Sequence, residues 1–197
     1  MSEQIAAPIQ TATVSNQEYA IAVIVLAFST DPAVRWMYPE PQQYLSYFPK
    51  FVRVFGGKAF ENDTADYVDG YSGTALWFSP GVEPDEEPLI ALLEQSICES
   101  AQEEVFAVFE QMGCYHPKEP HWYLPLIGVE PTQQGKGYGS ALMEHALLRC
   151  DRDHTPAYLE SSNQANIPFY ERHGFEKLGT IQVGASPPIF PMLRQPR

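Results

Sequence analysis

The feature that most constrains the fold is a glycine-rich loop at residues 134–139, which reads Gln-Gly-Lys-Gly-Tyr-Gly. An apolar run of strand length, residues 122–129, precedes it, and residues 138–151 carry apolar side chains at helical spacing. Glycines let the backbone curl between such elements, so that successive N–H groups point inward at the start of the helix. Because this geometry binds phosphate oxygens, the pattern predicts a phosphate-bearing ligand, with a glycine turn that binds nothing as the alternative.

Two other phosphate-binding loops do not fit these glycines. A P-loop, G-x-x-x-x-G-K-[ST], is excluded because Lys136 lies inside the loop and no Ser or Thr follows it. A dinucleotide-binding loop is the closer rival, since Glu160 stands near the place of a ribose-binding carboxylate. However, the glycines lie at 135, 137 and 139 rather than in G-x-G-x-x-G, and too few residues follow Glu160 for a second mononucleotide-binding half.

Composition bounds the class of protein and its partners. A chain of 197 residues, 44% hydrophobic and 19% charged, is typical of one globular domain, so residues 1–197 are expected to form a single domain. The formal net charge of −13 repels phosphate backbones and anionic lipid headgroups, which argues against nucleic acid and membrane surfaces as partners. The same field attracts cations and is compatible with a positively charged amine as substrate.

Cysteine spacing and apolar runs indicate the compartment. Cys98, Cys114 and Cys150 are odd in number and lack C-x-x-C spacing, so neither a disulfide framework nor a metal site is expected. Cys114 and His116 do not form a recognisable nucleophile or ligand set, because the sequence places no third partner beside them. The N-terminus has no basic segment before an apolar run, and the longest apolar run, residues 20–28, is too short to span a bilayer. We expect a cytoplasmic protein without a metal.

In the first half of the chain, the sequence predicts helices and a hairpin. A capping box from Ser15 to Glu18 predicts a helix that continues to Phe28. Aromatic residues three and four positions apart predict the buried face of a second helix, from Pro41 to a glycine pair at 56 and 57. Hairpin strands are predicted at residues 66–70 and 74–78, and one long helix at residues 89–112.

In the second half, further elements follow the loop and its helix. Residues 157–160 predict a strand, and residues 166–173 predict a short helix ended by Gly174. The remaining residues predict two β-strands, separated by a break at residues 184–188.

The loop also fits the R/Q-x-x-G-x-G/A signature of the GNAT acetyltransferases. From residue 115 to the C-terminus, the sequence resembles puromycin N-acetyltransferase and its relatives within that superfamily. The N-terminal half, which shapes the acceptor pocket in GNAT enzymes, matches only loosely, so puromycin as acceptor is not carried over. Besides the loop, the likeness rests on residues 116–120 (His-Pro-Lys-Glu-Pro), 128–131 (Gly-Val-Glu-Pro), 159–162 (Leu-Glu-Ser-Ser) and 166–175 (Asn-Ile-Pro-Phe-Tyr-Glu-Arg-His-Gly-Phe).

The resemblance implies an α/β (α+β) GNAT fold, in which a mixed, mostly antiparallel sheet is flanked by helices and splayed between its fourth and fifth strands. Acetyl-CoA, the implied cosubstrate, would enter the splay. Backbone groups of residues 126–129 would pair with its pantetheine arm, and an amide there would stabilise the oxyanion formed during transfer. The coenzyme-binding residues implied are Ile127, Gly128, Val129, Gln134, Gly135, Lys136, Gly137, Tyr138, Gly139, Ser140, Asn166 and Tyr170.

The resemblance also implies direct transfer of an acetyl group to a primary amine of a small molecule. Tyr170 occupies the Tyr of the family's Phe-Tyr-Glu-Arg segment and is the expected acid, since an ordinary Tyr pKa near ~10 leaves it protonated at neutral pH. Glu160, at a strand end beside the splay, is the expected base, and Glu130 is the lesser candidate. Solvated carboxylates, a packed Tyr170 and an Asn166 that merely caps a helix are the structural alternatives.

The sequence says less about the acceptor substrate and the oligomeric state. Four aromatic residues are candidates for the walls of an acceptor pocket, although core packing explains such residues equally well: Trp36, Tyr38, Trp77 and Tyr123. A homodimer is expected only by analogy with the superfamily. The alternative functions are an acyl-CoA-binding sensor without catalysis and a protein or peptide N-acetyltransferase.

Overall fold

The computed structural model describes residues 8–197; the N-terminal residues 1–7, to which the expected absence of a leader refers, lie outside the described residues. None of the helices in this described part is both long and apolar enough to cross a bilayer. The strands are β1 (Ile9–Ala12), β2 (Ala65–Val68), β3 (Gly73–Phe78), β4 (Trp122–Val129), β5 (Ala157–Ser161), β6 (Glu176–Lys177) and β7 (Phe190–Arg194). The α-helices are α1 (Gln17–Ala27), α2 (Pro32–Met37), α3 (Pro41–Gly56), α4 (Lys58–Glu61), α5 (Glu86–Ser96), α6 (Glu99–Tyr115), α7 (Tyr138–Arg152) and α8 (Ile167–Arg172).

The strands form one seven-stranded sheet in the order β1-β2-β3-β4-β5-β7-β6. Every neighbouring pair is antiparallel except β4 and β5, which are parallel. Those two strands pair only from Trp122 opposite Ala157 to Leu124 opposite Leu159, and beyond that point they diverge. The predicted mixed sheet, splayed between its fourth and fifth strands, is confirmed.

Helices cover both faces of the sheet because side chains alternate along its strands. On β4, Tyr123 packs into a core formed largely with α1, α3, α5 and α6, and Leu126 joins the same core because the pairing of β3 with β4 shifts register between these two positions. Trp122 and Leu124 point the other way, into a second core formed largely with α7. The splay therefore lies between two packed layers, and each layer contributes its own wall to the space between β4 and β5.

The long helix predicted for residues 89–112 is wrong, because the chain breaks it into α5 and α6. Ile97 and Cys98 have extended backbones between the two helices. Ser96, the last residue of α5, is held by contacts from distant residues: Gln43 donates to its carbonyl at 2.8 Å, and its hydroxyl lies 3.1 Å from that of Tyr38. These tertiary contacts provide hydrogen-bond partners for the last residue of α5. Hydrophobic periodicity alone cannot reveal such contacts.

The predicted capping box at Ser15 and Glu18 is also wrong. Ser15 Oγ lies 2.8 Å from Thr13 Oγ1, and the Glu18 carboxylate pairs with Arg53 at 2.7 Å. Instead, Asn16 Oδ1 accepts a hydrogen bond from the Thr13 amide at 2.7 Å, and Thr13 precedes a short 3₁₀ turn that leads into α1. The helix itself forms near the predicted bounds, because its apolar residues are buried whichever residue caps it.

The short helix α2 is absent from the sequence prediction, although it has a clear start signal. Asp31 caps it, accepting hydrogen bonds from the amides of Ala33 and Val34 at 3.0 Å each, and Pro32 occupies the first helical position. At the other end of the chain, the two expected strands shrink to the two-residue β6 and the five-residue β7. The segment between them contributes only an isolated bridge from Ile181 to Ile189.

Candidate active site

A cavity of about 520 Å³ opens where β4 and β5 diverge, and we call it the loop cavity. It lies against the glycine-rich loop, the start of α7, the far end of β4 and one side of α8. Ten of the residues predicted to bind the coenzyme line it, so the fold brings them together: Ile127, Val129, Gln134, Gly135, Gly137, Tyr138, Gly139, Ser140, Asn166 and Tyr170.

The backbone of the loop depends on its glycines. Gly135 and Gly137 have φ angles of +77° and +86°, a left-handed conformation that other residues adopt only with strain. Gly137 is the N-cap of α7, and no side chain in the described part of the chain caps that helix. The first-turn amides of α7 therefore have no capping acceptor and face the loop cavity, with the helix dipole favouring an anion there. This arrangement fits the phosphates of a coenzyme.

Beyond its last pairing with β5, strand β4 has one open edge. The Glu130 amide donates to the Ser72 carbonyl on the β3 side at 3.0 Å. Because peptide groups alternate in direction along a strand, those of Ile127 and Val129 face the opposite edge, where the loop cavity lies. Gln134 Nε2 donates to the Val129 carbonyl at 3.3 Å, so this side chain ties the loop to the strand.

Four residues that the sequence suggested for the site do not line the loop cavity. Gly128 is not in the cavity wall; it packs on α1 so closely that a Cβ there would lie 2.6 Å from the Cβ of Ala27. Lys136 Nζ donates to Gln133 Oε1 at 2.7 Å rather than lining the cavity. Glu130 accepts from the Thr132 hydroxyl at 2.5 Å, and Glu160 faces a different cavity. The roles of all these residues stay predictions.

Tyr170, on α8, lines the loop cavity. It is 7% exposed and packs with Phe175 and the α7 core. Burial, and to a smaller extent the negative charge of Asp31, raises the pKa of the Tyr170 hydroxyl above its usual value. The phenol is therefore protonated at neutral pH.

A smaller cavity of about 90 Å³, the inner cavity, lies on the α3 and α6 side of the splay. Its walls are almost entirely apolar and include Trp36 and Tyr123, two of the predicted pocket aromatics. The other two, Tyr38 and Trp77, are fully buried in the cores and line neither cavity. Glu160 projects from β5 into this apolar space.

The Glu160 carboxylate is buried with incomplete hydrogen bonding. Its side chain is 3% exposed, and His116 Nε2 lies 3.1 Å from Oε1. That approach lacks hydrogen-bond geometry, so Oε1 has no hydrogen-bond partner among the described residues. Burial and the adjacent Glu160 charge raise the pKa of both Tyr123 and Tyr158. A buried carboxylate oxygen that accepts no hydrogen bond is suited to pair with a bound cation.

Asp31 and Ser162 separate the loop cavity from the inner cavity. Asp31 lines the former and Ser162 the latter, and the Ser162 hydroxyl donates to Asp31 Oδ2 at 2.6 Å. Phe28 lines both cavities. Asp31 is 8% exposed, and burial raises its pKa. Sequence reasoning assigned neither Asp31 nor Ser162 to the site; the Asp-Pro pair at a helix start was the available signal for Asp31.

Comparisons with known proteins agree with this geometry. Residues 97–177 match the model of the acetyltransferase (GNAT) domain. An uncharacterized N-acetyltransferase of Schizosaccharomyces pombe is 30% identical over 144 residues, which cover 66% of this chain and 58% of that protein. The matched region thus spans less than two thirds of that relative's length.

Solved structures resemble the chain over nearly its whole length. The structure of "histone acetyltransferase HPA2 and related acetyltransferase" from Corynebacterium glutamicum has 25% identity and a TM-score of 0.66, covering 96% of each chain. Arylalkylamine N-acetyltransferase 2 from Aedes aegypti has 13% identity and a TM-score of 0.63, covering 96% of this chain and 99% of its own, which shows the shared fold alone. By its splayed mixed sheet and this full-length likeness the chain has the GNAT fold, and residues 97–177 match the GNAT acetyltransferase domain.

Proposed function

We propose that the protein transfers an acetyl group from acetyl-CoA to a primary amine of a small molecule, by direct attack within a ternary complex. The observation that carries this proposal is the pair of cavities that approach each other at the splay. The loop cavity holds a protonated phenol, the inner cavity holds a carboxylate, and one hydrogen-bonded pair with one aromatic ring lies between them.

Each side of the site has a distinct task in the proposed reaction. Acetyl-CoA supplies an activated acyl group as a thioester. The loop amides and the open edge of β4 hold and orient the coenzyme from the loop-cavity side. On the other side, Glu160 takes the proton from the incoming ammonium, so that the amine becomes a nucleophile. Tyr170 gives a proton to the departing thiolate.

The test is thiol release from acetyl-CoA in the presence of small amines, aminonucleosides including puromycin, and peptides, with calorimetric binding of the coenzyme in parallel. Turnover with a small amine is the expected result. Turnover with peptides alone would favour a peptide N-acetyltransferase, and coenzyme binding without turnover across the panel would favour the sensor. If acetyl-CoA does not bind, the assignment of the loop is wrong.

We expect Gly137→Ala to raise the Kd for acetyl-CoA by about tenfold or more. A Cβ meets no atom within 4 Å at this position, so the cost arises from the φ of +86°, and relieving that strain displaces the neighbouring amides. Gly81→Ala is a matched control, since Gly81 has a φ of +84° and equally open space but lies outside the loop cavity. Calorimetry on both variants checks the prediction, and equal Kd values would contradict it.

Glu160→Gln is expected to lower kcat by about 100-fold, because the amide keeps the shape of the side chain but cannot accept the amine proton. The KM for acetyl-CoA should change little, since Glu160 faces the inner cavity and not the loop cavity. Steady-state kinetics compare it with Glu130→Gln, which removes the competing carboxylate. A larger loss of kcat in Glu130→Gln would transfer the role of base to Glu130.

A further inference from the structure

The inner cavity adjoins a larger space on the protein surface. This outer cavity, of about 500 Å³, lies between the start of α5 and one side of α6. The residues that line both cavities form a neck between them: Phe55, Phe109, Met112 and Tyr123. An acceptor that enters from solvent through the outer cavity would therefore reach Glu160 through a mostly aromatic neck.

The outer cavity has an acidic rim. Glu83, Glu86 and Glu110 line it, and all three are exposed. No Lys or Arg among the described residues lines this cavity, and His116 is its one basic lining residue. The negative potential of this rim raises the local concentration of cations and disfavours anionic acceptors.

The walls beyond the rim are apolar. Ile90 is 45% exposed in the outer cavity, although most large aliphatic side chains of this protein are buried. The inner cavity, with room for roughly three water-sized groups, suits an amino end on a short carbon chain rather than a whole ligand. An apolar body would remain in the neck and outer cavity, whereas a second charge or a hydroxyl group held in the neck would lose its hydration without replacement.

The end of this path carries a buried carboxylate oxygen with incomplete hydrogen bonding. Glu160 Oε1 faces the inner cavity and has no hydrogen-bond partner in the described part of the chain, with His116 Nε2 3.1 Å away. Leaving such an atom without a donor costs free energy that a bound donor recovers. A primary ammonium offers several N–H donors and a positive charge, and the aromatic walls beside it favour a cation as well.

We propose that the acceptor is a primary amine, cationic in solution, on a single apolar body such as an aryl or branched alkyl group. Its amino end lies beside Glu160 in the inner cavity, and its apolar body fills the neck and the outer cavity. This inference rests on the proposed acetyl transfer and names the substrate class of that reaction.

The first test compares 2-phenylethylamine with ethylamine and spermidine in the thiol-release assay. Burial of the phenyl ring should give 2-phenylethylamine a kcat/KM about 30-fold above that of ethylamine. Spermidine should be a poor substrate, because its further charges would enter the apolar neck. Equal or better turnover of ethylamine or spermidine would overturn the substrate class while leaving the acetyl transfer in place.

The second test measures binding and does not need turnover. In the wild type, 2-phenylethylamine should bind more tightly than its neutral isostere 2-phenylethanol, measured by calorimetry. Glu160→Gln should reduce that ratio of affinities by about tenfold or more, since it removes the charge that recognises the cation. An unchanged ratio would show that the amine does not lie beside Glu160. If the preference is present but no amine is acetylated, the proposed activity fails and the amine site stands.

A surface variant tests the outer cavity without disturbing the core. Ile90→Ser should raise the KM for 2-phenylethylamine about threefold and leave that for ethylamine unchanged, because only the larger amine reaches the outer wall. Leu148→Ser, at a 70% exposed position on α7, is the control for loss of a surface aliphatic side chain. Equal effects of Ile90→Ser on both amines would place the apolar body elsewhere.

Discussion

Tyr170→Phe is expected to reduce kcat by about 100-fold or more, with little change in the KM of either substrate. The substitution removes one hydroxyl and retains the buried ring that packs with Phe175 and the α7 core. A donor that protonates the leaving thiolate acts in the transition state rather than in ground-state binding, so its loss lowers kcat. Steady-state kinetics with an identified acceptor measure the effect.

The pH profile separates this role from a packing role. Since burial raises the pKa of Tyr170 above its ordinary value near ~10, the phenol stays protonated across the neutral range. The wild-type kcat should therefore not fall through loss of this acid as the pH rises to about 10. Tyr19→Phe, at a 64% exposed position, is the control for the same chemical change. Full activity in Tyr170→Phe would remove this residue from the mechanism and leave the fold assignment intact.

The largest expected effect on stability is that of Asp66→Ala. Asp66, on β2, is fully buried, and Arg149 of α7 donates to both of its carboxylate oxygens. His145 of α7 lies 3.9 Å from the same carboxylate. Truncating Asp66 leaves the Arg149 guanidinium, whose side chain is 19% exposed, without its counter-ion. Breaking such a pair costs about 3–5 kcal/mol of unfolding free energy, and we expect Tm to fall by about 10 °C.

Thermal and urea unfolding measure this loss, with Glu144→Ala as the control. Glu144 is an exposed carboxylate on the same helix, so its removal should change stability by less than about 0.5 kcal/mol. The double variant Asp66→Leu/Arg149→Met replaces both charges with apolar side chains and should recover most of the lost stability. A loss in Asp66→Ala no greater than that in Glu144→Ala would show that the pair does not hold α7 on the sheet.

The strand, the glycine loop and the α7 helix could be predicted from the sequence because each is encoded locally. The apolar run at Trp122–Val129 has the length and bounds of β4, and the apolar spacing that follows matches α7 within one residue. Gly135 and Gly137 have the positive φ angles that a curled loop requires. From this local order, the position of a phosphate-binding loop follows without knowledge of any distant contact.

Only the tertiary structure shows that the site is divided into a loop cavity and an inner cavity. Asp31 and Ser162 are 131 residues apart in the chain, yet their hydrogen bond separates the two cavities. At the break between α5 and α6, Tyr38 and Gln43 likewise contact Ser96 from another part of the chain. Such long-range contacts produce no periodic pattern of apolar residues. The residues next to each partner in the sequence do not indicate which distant residue that partner will contact.

For Glu160, the sequence predicted the position in the chain, and the tertiary structure decided the surroundings of the side chain. Its place at the end of a strand beside the splay follows from the sequence pattern of residues 157–160 and from the loop that precedes it. Which cavity it faces depends on how β5 pairs with β4 and on the aromatic residues that α3 and α6 bring to that face. Local periodicity determines the elements and their order. Long-range packing determines which side chains share a cavity, and with that the chemistry that each cavity can perform.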